Sequence, residues 1–297
     1  MAMEMDLGRI GIWTNQLNGL KAAELRDTLQ EIEGLGYGAL WQGESATGRE
    51  ALTNAALTLS WTDRIVAATG VASIWARDAA GLASAQRMLC ESFPYRFLLG
   101  LGVSHEGQIT ARGHDFDTKP LTAMGHYLRS MDIQPAGVLP HPPAPPPRVL
   151  AALGPAMLDL ARDHAQGAHP FLVTPEQTKA ARDVLGPGRI LAPELGVLLE
   201  TDAEAARTVL RGEIKSRLGY PNYRRSLLNQ GFTEADLADG GSDALIDRLF
   251  AWGSISDVAQ RVEEHIASGA DHVALYALRP RSGQVPLEEW RELATII

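Results

Sequence analysis

Three side chains able to take up or release a proton stand in or just after short apolar runs of this sequence. Glu44 follows Ala39–Gln42, His105 follows the glycine-containing run that begins at Phe97, and His169 lies inside Ala168–Val173. A carboxyl or an imidazole at the end of a buried strand reaches out of the core, where general acid–base chemistry is done. Glu44 and His169 each have a structural alternative. Glu44 is either an acid–base group or the partner of Arg49 or another arginine. His105 is placed for a cofactor contact. His169 either faces the mouth of the fold or is a satisfied core histidine. Trp13, Trp41 and Trp75 stand at the ends of three strand-like runs and form either an aromatic pocket or core packing.

Glycines and small residues mark three places where a ligand could approach the backbone. Arg96-Phe97-Leu98-Leu99-Gly100-Leu101-Gly102-Val103-Ser104-His105 ends an apolar run with Gly100 and Gly102. These glycines serve either close ligand approach or tight strand–helix packing. Ala151-Ala152-Leu153-Gly154-Pro155-Ala156 opens a helix whose free N–H groups suit a phosphate; it is equally an ordinary helix start with proline at its first position. Thr69-Gly70-Val71-Ala72-Ser73-Ile74-Trp75 reads by itself as a routine strand end.

Other chemistries lack their residues. No His-x-His stands in the first run, which reads Ile10-Gly11-Ile12-Trp13-Thr14-Asn15, and there is no His-Glu-x-x-His or cysteine cluster. The lysines, Lys21, Lys119, Lys179 and Lys215, fall on expected helices or flanking loops, which disfavours Schiff-base chemistry from a strand. No Gly-x-Ser-x-Gly elbow occurs. We therefore expect no metal site.

The elements that must position the candidates alternate. Eight β-type runs stand out: Ile10–Trp13, Ala39–Gln42, Val66–Val71, Phe97–Leu101, Val149–Ala152, Ala168–Val173, Leu191–Leu199 and His272–Tyr276. Several are apolar on consecutive positions, as parallel strands buried on both faces should be. Between them, Leu25, Leu29 and Ile32 share a helical face, as do Leu82, Ala85, Leu89 and Phe93, and Leu121, Met124, Leu128 and Met131. Thr174-Pro175-Glu176-Gln177 is a helix start with a capping hydroxyl, and Thr201 with Glu204 repeats that logic. Eight strand–helix units favour a closed (β/α)8 barrel over an open sheet. Two stretches interrupt the rhythm. The proline-rich 135–147 reads as an extended connector across the barrel, and 211–253, after the seventh strand, as a lid at the catalytic end.

Composition bounds the partners. The 297 residues carry a net charge of −9 and no basic tract, against nucleic acid as the main partner. The apolar runs are strand-sized, so we expect no membrane span. The opening Met-Ala-Met-Glu-Met-Asp lacks the pattern of a signal peptide, and Cys90 is the only cysteine, which suggests a reducing, cytoplasmic setting. Cys90 itself reads as inert packing.

Taken together, the run 96–104, the Gly113…Lys119-Pro120 loop, the helix with Tyr127-Leu128, Ala151–Ala156, Gly167-Ala168-His169-Pro170 and Gly269-Ala270-Asp271-His272-Val273 resemble luciferase-like monooxygenases, in particular the actinobacterial branch that uses the deazaflavin coenzyme F420. The resemblance covers nearly the whole chain and implies a single luciferase-like TIM-barrel domain over 1–297. It implies a cofactor at the C-terminal end of the barrel and a non-proline cis peptide in a bulge of strand three, by position Ser73–Ile74. It also implies that Ser73, Ile74, Gly100, Gly102, Val103, Ser104, Ala152, Gly154 and Pro155 hold the ring, tail and phosphate, and that the protein is a homodimer. Arg77 and Arg112 are placed to supply positive charge to an anionic tail. Two departures matter. Gln166 stands where the family often has Asp, and the region Ala39–Glu44 lacks the histidine of the family's sugar-phosphate dehydrogenases, so that activity is not implied.

The leading expectation is an oxidoreductase that transfers a hydride between coenzyme F420 and a small organic substrate. Its rivals are a flavin mononucleotide (FMN) monooxygenase in the same barrel and a cofactor-binding barrel without catalysis. The protein's share of such chemistry is orientation, proton transfer and exclusion of water.

Overall fold

The apolar runs become strands, and each pairs in parallel with its neighbours. A computed structural model describes residues 5–116, 119–133, 140–278 and 285–297. The strands are β1 (Ile10–Trp13), β2 (Ala39–Gln42), β3 (Val66–Thr69), β4 (Ala72–Ser73), β5 (Phe97–Gly102), β6 (Arg148–Leu150), β7 (Gly167–Ala168), β8 (Ile190–Leu191), β9 (Glu194–Leu198), β10 (Ala251–Trp252) and β11 (Val273–Ala277). The helices are α1 (Ala22–Gly34), α2 (Ala51–Trp61), α3 (Ala79–Ser92), α4 (Glu106–Thr110), α5 (Pro120–Asp132), α6 (Pro155–His164), α7 (Pro175–Leu185), α8 (Ala203–Lys215), α9 (Pro221–Asn229), α10 (Asp243–Leu249), α11 (Ile255–Ala267) and α12 (Leu287–Leu293).

The sheet runs β10-β9-β11-β1-β2-β3-β5-β6-β7-β8, with β4 also on β5. Because β8 and β9 are two parts of one run, 190–198, the order closes into a ring. On one side of this run Ile190, Ala192 and Glu194 donate their N–H groups to the Gln166, Ala168 and Pro170 carbonyls, respectively, around β7. On the other side the carbonyls of Leu191 and Pro193 accept from Asp271 and Ala274, the latter on β11. β11 lies beside β1 in register Ile10 with Val273, so the eighth barrel strand meets the first, as the sequence leads one to expect. The chain beyond the proline-rich connector returns to this sheet, where β6 pairs with β5.

Alternation along each strand divides the core. Ile10, Ile12, Leu40, Leu195 and Val197 face the helix layer with Leu25, Leu29, Val258 and Val262. Ala39, Trp41, Val66, Ala68, Leu98, Val149, Ala192 and Ala274 fill the barrel interior, with Trp13 packed against them. This is the two-sided burial that consecutive apolar positions demand. No helix among the described residues is long and apolar enough to cross a membrane.

Several expectations shift. The third run is broken: β3 stops at Thr69 and β4 resumes pairing at Ala72. The cis peptide bond lies at Gly70–Val71, inside that break, and not at Ser73–Ile74. Ser73 is in ordinary register with Gly102, and Ile74 donates to the Gly102 carbonyl, so the chain there is already back in the ladder. Strand six is short: β7 is Gly167–Ala168, the His169 N–H and the Pro170 carbonyl make its last backbone bonds, to Leu150 and Glu194, and Leu172 has a φ of 53°, turning the chain out of the sheet. Asp202, not Thr201, caps α8, accepting from the Ala205 N–H at 2.8 Å. Thr174 caps α7 as expected. On α5, Met124, Leu128 and Met131 are buried but Leu121 is exposed. The excursion 211–253 holds the end of α8, then α9 and α10.

Candidate active site

Four groups of side chains stand around the C-terminal ends of the strands. The first is an ion-pair cluster beside the strand-three break. The Glu44 carboxylate, nearly buried, accepts from the Ser73 N–H at 2.8 Å and from both terminal nitrogens of Arg77. The Glu44 N–H donates to the Val71 carbonyl. Arg77 also bridges to Glu50 at 2.5 Å, and Arg112 lies 3.9 Å from Glu44. Glu44 thus holds the bulge in place through Ser73 and Val71, and its arginine partners are Arg77 and Arg112, not Arg49. Arg49 donates instead to the Leu20 carbonyl.

The second group lies inside the barrel. Trp41 is fully buried and stacks on His169, rings 4.2 Å apart and 10° from parallel. Its indole N–H donates to His272 Nε2 at 3.0 Å, and His272 Nδ1 donates to the Gly8 carbonyl. His169 Nδ1 donates to the Ala192 carbonyl at 2.6 Å. Burial pulls both imidazoles down to about 4, so they are neutral near pH 7 and these bonds assign their tautomers. His169 Nε2 is left as a buried lone pair without a partner among the described residues. It aims toward Gly70: a Cβ placed there would stand 3.2 Å from it and 2.6 Å from Trp13 Nε1. Trp13 donates to the Gly70 carbonyl at 2.6 Å and meets Tyr276 edge-on.

The third group lies where the excursion after the seventh strand packs on the mouth. His105 stacks on Tyr220 at 4.2 Å, and its Nε2 is 3.2 Å from the Tyr223 hydroxyl; burial lowers its pKa. Tyr223 also meets Phe171 edge-on. Ser226 donates to the Leu153 carbonyl, and Gln230 clasps Leu172 and Thr174. Thus α9 spans the ends of the fourth, fifth and sixth barrel strands, where the sequence placed a lid.

The fourth is the start of α6. Gly154 occupies the N-cap with no capping side chain, and nothing lies within 4 Å of where its Cβ would be. Pro155 and Ala156 are exposed. A helix start with unclaimed N–H groups, at the mouth of a parallel barrel, suits an anion.

The remaining candidates are placed apart from the mouth or explained by packing. A Cβ on Gly100 would lie 2.0 Å from the Thr69 carbonyl, and one on Gly102 2.6 Å from Val71 Cγ2, so both glycines admit the strand-three bulge. Ile74 and Ala152 are buried in the core beneath the helices, and Val103 packs on it. Ser104 has a φ of 62° and leads into His105. Trp75 donates to the Val103 carbonyl and, with Arg77, His114 and Tyr127, lines an open cavity of about 850 Å³ between the third loop and α5. Of the three tryptophans, only Trp13 is both partly open and at the mouth.

Sequence reasoning passed over Glu194, Arg217, Tyr223 and Tyr276, which converge on the same mouth. Burial pushes the Glu194 carboxyl up to about 8, against the opposing pull of Arg217. Its signal was present: an acidic residue in the otherwise apolar run Leu191–Leu199, expected to be buried on both faces.

Comparison with known proteins agrees with this geometry. The family model described as luciferase-like monooxygenase matches residues 5–272. Similar solved structures include an F420-dependent secondary alcohol dehydrogenase in complex with an F420–acetone adduct. It has 12% identity and a TM-score of 0.75, over 99% of this chain and 98% of that one. Another is the coenzyme F420-dependent tetrahydromethanopterin reductase from Methanopyrus kandleri, with 16% identity and a TM-score of 0.68 over 98% and 97%. A third is the oxygenating constituent of 3,6-diketocamphane monooxygenase from Pseudomonas putida in complex with FMN, with 15% identity and a TM-score of 0.70 over 97% and 96%. No curated protein sequence matches the chain. At these identities the structures speak for the fold, while the matched residues, the closed parallel barrel and the bulged third strand lead to one conclusion: this chain belongs to the luciferase-like monooxygenase family.

Proposed function

We propose that the protein is an oxidoreductase that transfers a hydride between coenzyme F420 and a small organic substrate. The observation that carries a ring-and-phosphate cofactor is the uncapped, sterically open start of α6 beside a mouth lined by Gly70, Trp13 and Tyr276 and crossed by α9. Gly154 and Ala156 would hold the phosphate through their N–H groups. The His169 Nε2 lone pair under Gly70 is an orphaned acceptor at the floor of that mouth, and would take a hydrogen bond from a ring N–H. The bound deazaflavin would supply two-electron hydride chemistry. The protein's part is to seat it, to exclude water through the Tyr220–His105–Tyr223 contact, and to handle the accompanying proton.

One observation favours FMN instead. Arg77 and Arg112 turn toward Glu44, which leaves less positive charge for the longer anionic tail of coenzyme F420. Titration of the apoprotein with both cofactors, followed by tryptophan quenching, decides between them. Tighter binding of coenzyme F420 is expected. Tighter FMN binding, with substrate-dependent oxygen consumption by the reduced protein, would replace this reading by the monooxygenase. Gly154→Leu should weaken either cofactor at least about tenfold, a loss of about 1.4 kcal/mol. Its backbone φ of −143° accepts any side chain and the space is open, so the melting temperature should hold. Unchanged affinity would remove the phosphate from α6.

A further inference from the structure

Strand seven carries a carboxylic acid into the barrel. Leu195 and Val197 point to the helix layer, and Ala192 points inward beside Trp41 and Ala274. Glu194 shares the parity of Ala192 and is in register with inward-facing Ala274, so its side chain enters the barrel one layer nearer the mouth. The residue is 8% exposed, and its carboxyl makes no hydrogen bond or ion pair among the described residues. The charged or titratable groups that face it are Glu213 at the end of α8, Arg217 just beyond, Tyr223 on α9 and Tyr276 on β11. Arg217 is not free to neutralise it. Its guanidinium is 2.7 Å from Glu213 and lies over the Phe171 ring.

The other candidate acid–base groups are occupied or carry no proton to give. Glu44 is held by Ser73 and Arg77. His169 is neutral, and its one N–H is donated to Ala192. His105 sits against Tyr220 and Tyr223. Glu194 differs from all three. Burial holds its proton until about pH 8, so near neutrality it is a neutral acid that can donate and then recover a proton.

We propose that Glu194 is the acid and base of the hydride transfer, and that the substrate is an uncharged ketone or secondary alcohol whose oxygen lies against the Glu194 carboxyl. This rests on the hydride-transfer reading above. In the reducing direction, the carbonyl carbon receives a hydride, with both its electrons, from the reduced deazaflavin. The C=O π bond opens, and the carbonyl oxygen takes the proton of Glu194. The products are the alcohol, the oxidised cofactor, whose ring N–H proton leaves to solvent, and the Glu194 carboxylate, which is reprotonated from solvent. In the oxidising direction the carboxylate removes the hydroxyl proton as the hydride leaves carbon. An uncharged substrate suits this place, since Glu213 and Arg217 already neutralise each other and Trp13, Tyr276 and Phe171 offer an apolar wall.

The test has two arms, both on full-length wild type, Glu194→Gln and Glu194→Asp. On the apoprotein, infrared difference spectra across a pH titration should show a protonated-carboxyl band that disappears with a midpoint near 8. Cyclohexanone should displace that band to lower frequency. Both signals should be absent in Glu194→Gln, and Glu194→Asp should keep a band with a moved midpoint. With cofactor, Glu194→Gln should bind coenzyme F420 as the wild type does, yet oxidise its reduced form with cyclohexanone at least about 100-fold more slowly and without the limb near pH 8. Absence of the band, no displacement by the ketone, or a Glu194→Gln variant with wild-type rate and pH profile overturns the assignment. Failure of the wild type to bind coenzyme F420 overturns the cofactor reading instead, and the apoprotein arm still decides Glu194.

Discussion

Trp41, His169 and His272 form a polar chain in a place otherwise filled by aliphatic side chains. Each polar hydrogen in it has one acceptor: His272 Nε2 for the indole, Gly8 for His272 Nδ1 and Ala192 for His169 Nδ1. Trp41→Phe preserves most of the stacking surface but leaves His272 Nε2 buried and unpaired. A loss of about 1–3 kcal/mol in unfolding free energy is expected, measured by urea titration. Glu44 is tested in the same way with a different expectation. Glu44→Gln keeps an acceptor for the Ser73 N–H but removes the charge that faces Arg77. We expect a loss of about 1.5–3 kcal/mol, since Glu50 still holds the guanidinium. If that variant is as stable as the wild type, Glu44 does not hold the bulge.

At the scale of elements, α9 owes its position to a few polar ties: Tyr223 to His105, Ser226 to Leu153, and Gln230 to Leu172 and Thr174. Tyr223→Phe removes one tie without removing the ring. The loss of about 1 kcal/mol should speed escape of a trapped ligand roughly fivefold, read by stopped-flow fluorescence. The sequence announced the excursion that carries α9 by its length and position, and it announced most strands by consecutive apolar residues. It hid what depends on the third dimension. The break after Thr69 has no local signal, because Gly70-Val71-Ala72 suits a continuous strand as well as a bulge. Arg77 and Arg112 read as rim charges, since nothing local says that Glu44 lies between them. Glu194 is masked by the apolar residues on either side of it, although the exception in that run is its informative position.

For the whole molecule, burial sets opposed responses to pH. His169, His265 and His272 are held down to about 4, from an ordinary 6.5. Unfolded, they bind protons that the folded chain refuses, so stability is lost as pH falls from about 6.5 toward 4. Glu194 is raised from 4.5 to about 8. Folded, it keeps a proton that the unfolded chain releases, so stability also declines as pH rises toward 8. Below 6.5 the three histidines outweigh the one acid, which puts maximum stability near about pH 6.5, with each displaced unit worth about 1.4 kcal/mol. Melting temperatures from pH 5 to 9 should show this dome, and Glu194→Gln should flatten its alkaline side and steepen its acid side. A wild-type curve that rises steadily to pH 9 would contradict the buried acid.

The ring of strands is uneven. β6, β7 and β8 meet through the pairs Val149–Gly167, Leu150–Ala168, Gly167–Ile190 and Ala168–Leu191, while β9, β11, β1, β2 and β3 meet over longer stretches such as Ala274–Glu194 through Ala277–Val197 and Ala39–Val66 through Gln42–Thr69. A cylinder with one thin wall should breathe through that wall. Amides of 148–150 and 167–168 should exchange with deuterium through local openings, at free energies below that of global unfolding, whereas those of β1, β2 and β11 should exchange only when the whole chain unfolds. The start of α6 follows directly on that thin wall. Whatever anion settles on Gly154 therefore also acts as a clasp, and slowed exchange in those few amides would give the first sign that one has bound.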